Sequence, residues 1–252
     1  MTITVNDTAK ASKAIYKNND FEGFTLMGGF FDPKNTNRFG WDKERDAGGA
    51  SAGIYKCNGK SGMYILSFRG SSNSPFTKGD GRKDWTVDDA TLAAGFTPER
   101  ASDCVKYANS VSAQYPDSFI LVTGHSLGGY LAQVVGVLCD MPFITWNAPP
   151  ALSTWTGNMA DGTKASKFRK GLNFRVNWDP VSKLTAGKHV GPVKTLPHVG
   201  VNILNAHTNS AIEKSIAQSP LKNLPAMGCI PRFPENPRIP LLNCATRILP
   251  SA

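Results

Sequence analysis

The 252-residue chain is long enough for one large domain with a well-buried core. Its composition, 40% hydrophobic and 19% charged, excludes a disordered chain, and no run approaches the ~20 apolar residues that a membrane-spanning helix needs. The net charge of +9 is uneven: residues 1–162 have a balance of −1 and residues 163–252 a balance of +10. We interpret the basic last third either as a solubility surface or as a face for an anionic partner such as phospholipid head groups. No nucleic-acid partner is expected, because the sequence has no nucleic-acid motif and no basic stripe interleaved with aromatic residues.

The first 50 residues predict one helix and little other regular structure. Residues 5–17 contain alanines that favour a helix, with Asp7 or Thr8 as candidate N-caps. Residues 1–17 are polar and charged and lack the apolar core of a secretory signal, which predicts synthesis in the cytoplasm and, for any export, a route that does not use such a signal. Residues 21–31 are aromatic and rich in glycine, and residues 35–49 are polar, so both are predicted to be irregular.

Two strands and a helix are predicted next. The apolar runs at residues 52–57 and 62–68 are typical of strands, and Asn58-Gly59 between them indicates a turn. Residues 98–115 have helical periodicity, with their apolar side chains on one face.

A nucleophile elbow is predicted where the apolar run at residues 119–123 meets Gly124-His125-Ser126-Leu127-Gly128-Gly129. An apolar helical segment follows, and this strand–turn–helix layout places Ser126 at the tip of a tight turn. Side chains at Gly124 and Gly128 would collide across the turn, because the serine occupies a strained backbone conformation. Small residues continue along one face of the helix and allow it to lie close to the sheet, at Gly129, Ala132 and Gly136.

The chain after the elbow alternates predicted strands with loops. Strands are predicted at residues 143–147 and 172–178, and two short strands are predicted within residues 190–204. A short helix is predicted at residues 210–219, where Ser210 and Glu213 have capping-box spacing.

These elements predict a single α/β domain over residues 1–252, with a central, mostly parallel sheet flanked by helices. Its core spans about residues 50–217, and the proline-rich residues 218–252 form an arm wrapped on the domain. Five cysteines are widely spaced and show no metal-ligand spacing, so neither a metal nor another cofactor is expected. Cys229 and Cys244 are close enough in sequence to be a candidate disulfide in the arm.

A serine nucleophile requires a general base, and the chain has four histidines from which to supply it. His125 is adjacent to Ser126 inside the elbow, so its ring is expected to point away from the hydroxyl group. Of the remaining three, His189 falls in a basic loop and His198 in a strand-like run. His207 lies in a loop just before a predicted helix, and its position favours it over His198 as the base.

The base requires an orienting acid, which lies between the nucleophile and the histidine in the chain order of this kind of site. The candidates are Asp140, Asp161 and Asp179, since Asp179 is the last aspartate in the chain. Asp179 is favoured because it directly follows a predicted strand, at the sheet edge where such enzymes hold their catalytic groups.

The developing oxyanion needs two preorganised donors. One is the backbone N–H of Leu127, directly after the nucleophile. The second is expected in the loop after an early strand, where Ser71 can offer both its N–H and its hydroxyl group.

Several motifs occur together in the order found in the class 3 lipases, the group of fungal triacylglycerol lipases and plant acylhydrolases. They are Phe68-Arg69-Gly70-Ser71, Asp84-Trp85, Val122-Thr123-Gly124-His125-Ser126-Leu127-Gly128-Gly129, Asn177-Trp178-Asp179-Pro180-Val181, Pro197-His198-Val199-Gly200-Val201 and Ala206-His207. Over roughly residues 50–217, the chain resembles this family. The resemblance implies an α/β-hydrolase fold, His207 as the base, His198 in the preceding strand, Ser71 and Leu127 as oxyanion donors, and hydrolysis of carboxylic esters of lipids.

The sequence therefore predicts a serine lipase or phospholipase A-type hydrolase with Ser126, Asp179 and His207 as its triad. The basic last third favours a phospholipid substrate and peripheral contact with an anionic membrane surface. One alternative is the same activity deployed as a secreted antibacterial effector of the type VI kind, which would require an immunity protein as its partner. The other is a binding protein that retains the hydrolase fold without activity.

Overall fold

Within the residues that the computed structural model describes (2–30, 52–70, 98–151, 167–183, 188–200 and 203–230), seven strands form one sheet. In their order across the sheet they are β1 (Phe24–Phe30), β2 (Ala52–Cys57), β3 (Met63–Phe68), β4 (Phe119–His125), β5 (Phe143–Trp146), β6 (Gly171–Val176) and β7 (Val193–Leu196). β2 runs antiparallel to β1 and β3, whereas β3 to β7 are parallel. The carboxyl ends of β3 to β7 therefore meet at one edge of the sheet.

Helices cover both faces of this sheet. They are α1 (Val5–Ala14), α2 (Pro98–Gln114), α3 (Leu127–Cys139), α4 (Asn209–Ala217) and the short α5 (Ala226–Cys229). α2 and α3 share one hydrophobic core with strand residues such as Leu66 and Val122, and α1, α4 and α5 share the other with Ile65 and Leu121. Both β3 and β4 are buried along their whole length, which explains their nearly continuous apolar sequences. The predicted α/β architecture is confirmed. None of the helices in these ranges has the length and hydropathy needed to cross a membrane.

α1 lies against the sheet through buried hydroxyl groups. Ser12 Oγ is 3.0 Å from Thr123 Oγ1 on β4, and Ser67 Oγ on β3 donates a hydrogen bond of 3.2 Å to a main-chain carbonyl of the helix. The indole N–H of Trp146 on β5 donates to Thr8 Oγ1 at 3.1 Å. Because small side chains line this face, α1 lies directly against the three strands β3, β4 and β5.

The structure confirms the strands and helices predicted at residues 52–57, 62–68, 98–115, 119–123, 143–147 and 172–178, to within two residues at each end. Two predictions in the N-terminal region are wrong. Thr4, and not Asp7 or Thr8, caps α1 in a capping box, in which the Asp7 N–H donates to the Thr4 hydroxyl and the Thr4 N–H donates to the Asp7 carboxylate. Residues 24–30, predicted to be irregular, form the edge strand β1. Its exposed Met27 and its two glycines give no alternating apolar pattern, so its sequence is not typical of a strand.

Two predictions near the C-terminal end are also wrong. Within the described part of residues 190–204, β7 is the one strand where two were expected. Thr208 caps α4 by accepting a hydrogen bond from the Ala211 N–H at 3.1 Å, so the helix begins before Ser210 and the predicted capping box of Ser210 and Glu213 does not form.

The first part of the C-terminal arm packs on the N-terminus. A 3₁₀ turn (Pro220–Asn223) and α5 follow α4. The Val5 N–H donates to the Leu224 carbonyl at 3.0 Å, and the Ala226 N–H donates to the Ile3 carbonyl at 2.9 Å. Both ends of the described chain thus meet on the α1 face of the sheet. Residues 231–252, including Cys244, lie outside the described residues.

Candidate active site

Ser126 lies at the junction of β4 and α3 with φ 59° and ψ −129°, a conformation that non-glycine residues rarely adopt. The predicted crowding around this turn is present. A Cβ atom on Gly124 would overlap the backbone of Gly128, and one on Gly128 would overlap the carbonyl oxygen of Phe68 on β3. The glycines therefore let β3, β4 and α3 approach closely enough to hold the serine at the tip of the turn.

Three of the predicted site residues come together at the carboxyl edge of the sheet. His207 Nε2 is 2.8 Å from Ser126 Oγ, and His207 Nδ1 is 2.8 Å from Asp179 Oδ1. Because a carboxylate can only accept, Nδ1 carries the proton and Nε2 is left to accept the serine proton. The arrangement can therefore deprotonate the serine hydroxyl while the acid compensates the charge that forms on the imidazole.

Asp179 follows β6 and is fully buried. The N–H groups of Val181 and Ser182 donate to its two oxygens at 3.2 and 3.0 Å. Burial alone would raise the pKa of this carboxyl, but the contact with His207 and the hydrogen bonds from Ser182 outweigh burial and hold the pKa below its ordinary value. The acid is therefore ionised at neutral pH.

Of the two predicted oxyanion donors, Leu127 is among the described residues and Ser71 is not. Leu127 is the first residue of α3, and N–H groups in the first turn of a helix have no acceptor within the helix. Ser71 lies outside the described residues, and Gly70 just before it is described. A Cβ atom on Gly70 would lie 2.6 Å from the carbonyl oxygen of His125 and 3.3 Å from Ser126 Cβ. The chain that leads into Ser71 thus passes directly beside the nucleophile.

His125 faces away from the serine hydroxyl, as the sequence predicts. Its Nε2–H donates to the main-chain carbonyl of His207 at 2.6 Å, and its Nδ1 accepts from the Tyr16 hydroxyl at 3.2 Å. Burial, helped by the nearby His207, lowers the pKa of His125 to about 3. The ring is therefore neutral, with both nitrogens already engaged.

The remaining candidate bases and acids are two histidines, His189 and His198, and two aspartates, Asp140 and Asp161. Asp140 ends α3 and pairs with Lys170 at 2.6 Å, and Asp161 lies outside the described residues. His189 Nε2–H donates to the carbonyl of Ser182 at 3.2 Å, and burial lowers the pKa of this histidine. His198 follows β7 in an irregular, partly exposed segment, and not within a strand as expected. Among the residues described, no cluster of three or more His, Cys, Asp or Glu side chains is suited to hold a metal ion.

Sequence reasoning missed two residues that contact this site. Asn147 directly follows β5 with φ 47°; its side-chain amide donates to the Ala206 carbonyl at 2.8 Å, and its side-chain oxygen accepts from the Val176 N–H at 2.8 Å. Tyr16 approaches from beyond the end of α1. A polar residue at the carboxyl end of a buried strand was the available signal for Asn147, whereas no local pattern marks Tyr16.

A family model described as a Tle-like phospholipase domain matches residues 7–224 of the chain. ATG15 of Mycosarcoma maydis, which is named as a lipase, is 30% identical over 181 residues, or 58% of this chain and 33% of ATG15. ATG15 of Candida glabrata is 46% identical over 48 residues, or 19% of this chain and 10% of that protein. This chain thus spans at most about a third of the length of these relatives.

Two solved lipase structures are similar to this chain at low sequence identity. Lip2 lipase from Yarrowia lipolytica is 19% identical, with a TM-score of 0.47 over 88% of this chain and 92% of that chain. A triacylglycerol lipase from Penicillium expansum is 17% identical, with a TM-score of 0.45 over 82% of this chain and 85% of that chain. The family model covers most of the sequence, including the elbow, Asp179 and His207. The chain therefore belongs to the Tle-like phospholipase domain family and contains a hydrolase domain of the lipase and phospholipase type.

Proposed function

We propose that this chain is a serine carboxylic ester hydrolase that acts on acyl lipids, with Ser126, His207 and Asp179 as its triad. The observation that carries the proposal is the continuous hydrogen-bonded chain from Ser126 Oγ through the ring of His207 to Asp179, with both contacts at 2.8 Å. A buried, ionised acid, a histidine in a fixed tautomer and a strained serine are the elements that such chemistry requires.

In the proposed reaction, Ser126 Oγ attacks the ester carbonyl carbon while His207 Nε2 takes the hydroxyl proton. The oxyanion of the tetrahedral intermediate receives hydrogen bonds from the Leu127 N–H and from Ser71. The intermediate collapses as His207 gives its proton to the departing alcohol, which leaves an acyl group on Ser126. His207 then deprotonates a water molecule that attacks the acyl carbon, and the fatty acid leaves as the serine recovers its proton.

A soluble short-chain p-nitrophenyl ester and a fluorophosphonate probe test this assignment directly. The wild-type protein should hydrolyse the ester and bind the probe covalently, whereas Ser126→Ala should do neither, and Asp179→Asn should lose most of its turnover through the wrong histidine tautomer. Ester turnover that persists in folded Ser126→Ala would reject the serine mechanism.

For the substrate, we propose a phospholipid at an anionic membrane surface, which makes the activity phospholipase A-type. Trp178, next to Asp179, is 55% exposed and adopts a left-handed φ of 70°. The ammonium of Lys183 lies 5.0 Å from the centre of the indole ring. Residues 163–252 have a charge balance of +10, against −1 for residues 1–162. An exposed indole beside a cation suits the boundary between head groups and acyl chains, where Trp and Lys side chains anchor proteins.

Vesicles of neutral phosphatidylcholine, with and without phosphatidylglycerol, test the substrate proposal. Hydrolysis should rise with the anionic lipid, and Trp178→Ala should weaken vesicle hydrolysis several-fold without changing turnover of the soluble ester. Met27→Ala is the matched control, because Met27 is 48% exposed on β1 at the opposite edge of the sheet. Equal rates on both kinds of vesicle, or equal effects of the two substitutions, would remove the membrane argument.

The two alternative functions, a secreted antibacterial effector and a non-catalytic binding protein, stay predictions. For a secreted antibacterial effector, expression should be toxic only when the protein is directed to the periplasm, and co-expression of an immunity protein should relieve the toxicity. For a non-catalytic binding protein, folded wild-type chain should fail to react with the fluorophosphonate.

A further inference from the structure

Tyr16, two residues beyond the C-terminal end of α1, contacts the ends of two central strands. Its hydroxyl donates to His125 Nδ1, at the end of β4, over 3.2 Å. The same hydroxyl lies so close to Gly70, just beyond β3, that a Cβ atom there would overlap it. The guanidinium carbon of Arg69 lies 5.5 Å from the centre of the Tyr16 ring. Tyr16 therefore touches both the nucleophile strand and the segment that leads into Ser71.

His125 continues this contact towards the proposed base. Its Nε2 lies 2.6 Å from the carbonyl oxygen of His207, and this oxygen can only accept. Nε2 must therefore carry the proton, which leaves Nδ1 of a neutral ring free to accept from the Tyr16 hydroxyl. The pKa of about 3 caused by burial keeps the ring in this neutral form. The direction of both hydrogen bonds is thus fixed by the carbonyl at one end and the phenol at the other.

The Asn147 side chain holds the carbonyl of the residue that precedes His207. The Asn147 amide donates to the carbonyl of Ala206 at 2.8 Å, so two consecutive carbonyls at the end of the 3₁₀ helix Ile203–His207 are held from the ends of the adjacent strands β4 and β5. The backbone position of this helix sets where the imidazole of His207 can reach. Displacement of a catalytic group by about 1 Å can reduce turnover by about 100-fold.

We infer that Tyr16 and His125 are positioning residues that act in series, from Tyr16 to His125 to the backbone of His207, to hold the proposed base in line with Ser126. The inference rests on the proposed function. Neither residue touches the reacting atoms, so we expect both to act on the transition state through His207. The segment that follows α1 thereby helps to position the proposed base.

Tyr16→Phe keeps the aromatic ring and removes the hydroxyl. We expect kcat for the soluble ester to fall about tenfold with KM unchanged, because alignment of the base is lost and substrate contacts are not. His125→Leu removes the donor to the His207 carbonyl, and we expect a decrease of about 100-fold. His125→Gln should recover much of the activity, since its amide can donate to the carbonyl and accept from Tyr16.

A double-mutant cycle tests whether the two residues act in series. If Tyr16 acts only through His125, Tyr16→Phe should reduce kcat in the wild-type background and have no further effect in His125→Leu. Effects that multiply in the double variant would overturn the inference. The proton on His207 Nδ1 supplies a spectroscopic check, since its far-downfield NMR resonance should weaken or shift in Tyr16→Phe.

Tyr55→Phe is the matched control, because Tyr55 is a fully buried tyrosine on the same face of the sheet and its hydroxyl has no hydrogen-bond partner among the described residues. This variant should keep the wild-type kcat. An equal loss in Tyr55→Phe and Tyr16→Phe would reduce the effect to general packing and overturn the inference. A wild-type protein without ester turnover would refute the proposed function itself, whereas an active wild type with an equally active Tyr16→Phe would refute only the positioning roles.

Discussion

α3 and α1 pack on opposite faces of the same sheet and approach it by different means. α3 is buried along nearly its whole length and lies close to β5 because Gly136 leaves room for the ring of Phe143. α1 instead places small polar side chains against buried hydroxyl groups of the strands, as between Ser12 and Thr123, which are 111 residues apart. The comparison shows two ways to build the proposed site: α3 holds the proposed nucleophile Ser126 through steric fit within one turn, and the segment after α1 reaches the proposed base His207 through hydrogen bonds by way of His125.

The largest loss of stability and turnover is expected from a substitution in α3, where the contact with the sheet is steric. In Gly128→Ala, the new methyl group would overlap the carbonyl of Phe68. The nearest atoms all belong to the backbone of β3 and the residue after it, so no flexible side chain could move aside to relieve the overlap. We expect the free energy of unfolding to fall by about 3 kcal/mol, at the upper end of overpacking costs, with loss of ester turnover. Chemical denaturation and turnover of the soluble ester measure both effects.

Gly228→Ala in α5 is the control, because a Cβ atom there has no heavy atom within 4 Å. It should leave stability and turnover near wild-type values. If Gly128→Ala were as stable as Gly228→Ala, the close contact between α3 and β3 would not be what holds the elbow.

The elbow could be predicted from sequence because its serine and glycines lie within six consecutive residues, between an apolar strand-like run and an apolar helical segment. Asp179 and His207 were also within reach, since each lies next to a predicted strand or helix and the order of groups limits the choices. The bond from Tyr16 to His125 spans 109 residues, and it becomes visible only when α1 is placed on the sheet. β1 was missed for a related reason: at the sheet edge its partner strand, and not its own pattern, determines its structure.

A second prediction tests the directed hydrogen bonds on the α1 side through pH. The pKa of His125 is about 3 in the folded protein, below the ordinary value of about 6.5 expected for an unfolded chain. Between these values the unfolded chain binds a proton that the folded protein does not, so stability should fall as pH falls from 6.5. His125 should contribute a loss of about 2 kcal/mol between pH 6.5 and pH 5.

His125→Gln isolates this contribution, since glutamine does not titrate. The free energy of unfolding of this variant should change less steeply with pH than that of the wild type over the same range. Asp179 does not interfere, because its lowered folded pKa gives stability that is present above the ordinary pKa and is lost only as pH falls through the folded value, below about pH 4. Equal slopes for the two proteins would show that the His125 ring gains a proton without unfolding.

The smallest of these effects is expected where α1 meets β4. Thr123→Val keeps the shape of the side chain and removes a hydroxyl that donates to the carbonyl of Ile144 at 2.7 Å and lies 3.0 Å from Ser12 Oγ. We expect a loss of about 1 kcal/mol in the free energy of unfolding, because Ser12 retains its own bond to the Thr8 carbonyl.

Thr195→Val on the exposed part of β7 is the control for Thr123→Val and should change stability by less than about 0.5 kcal/mol. If Thr123→Val also slows ester turnover, the buried hydroxyl groups between α1 and the sheet help to set the position of α1 and, with it, that of Tyr16. If only stability changes, Tyr16 is held at the site by its contacts with Gly70 and His125, and these hydroxyl groups stabilise the fold alone. A Thr123→Val protein as stable as Thr195→Val would contradict the view that buried hydroxyl contacts, and not apolar packing alone, attach α1 to the sheet.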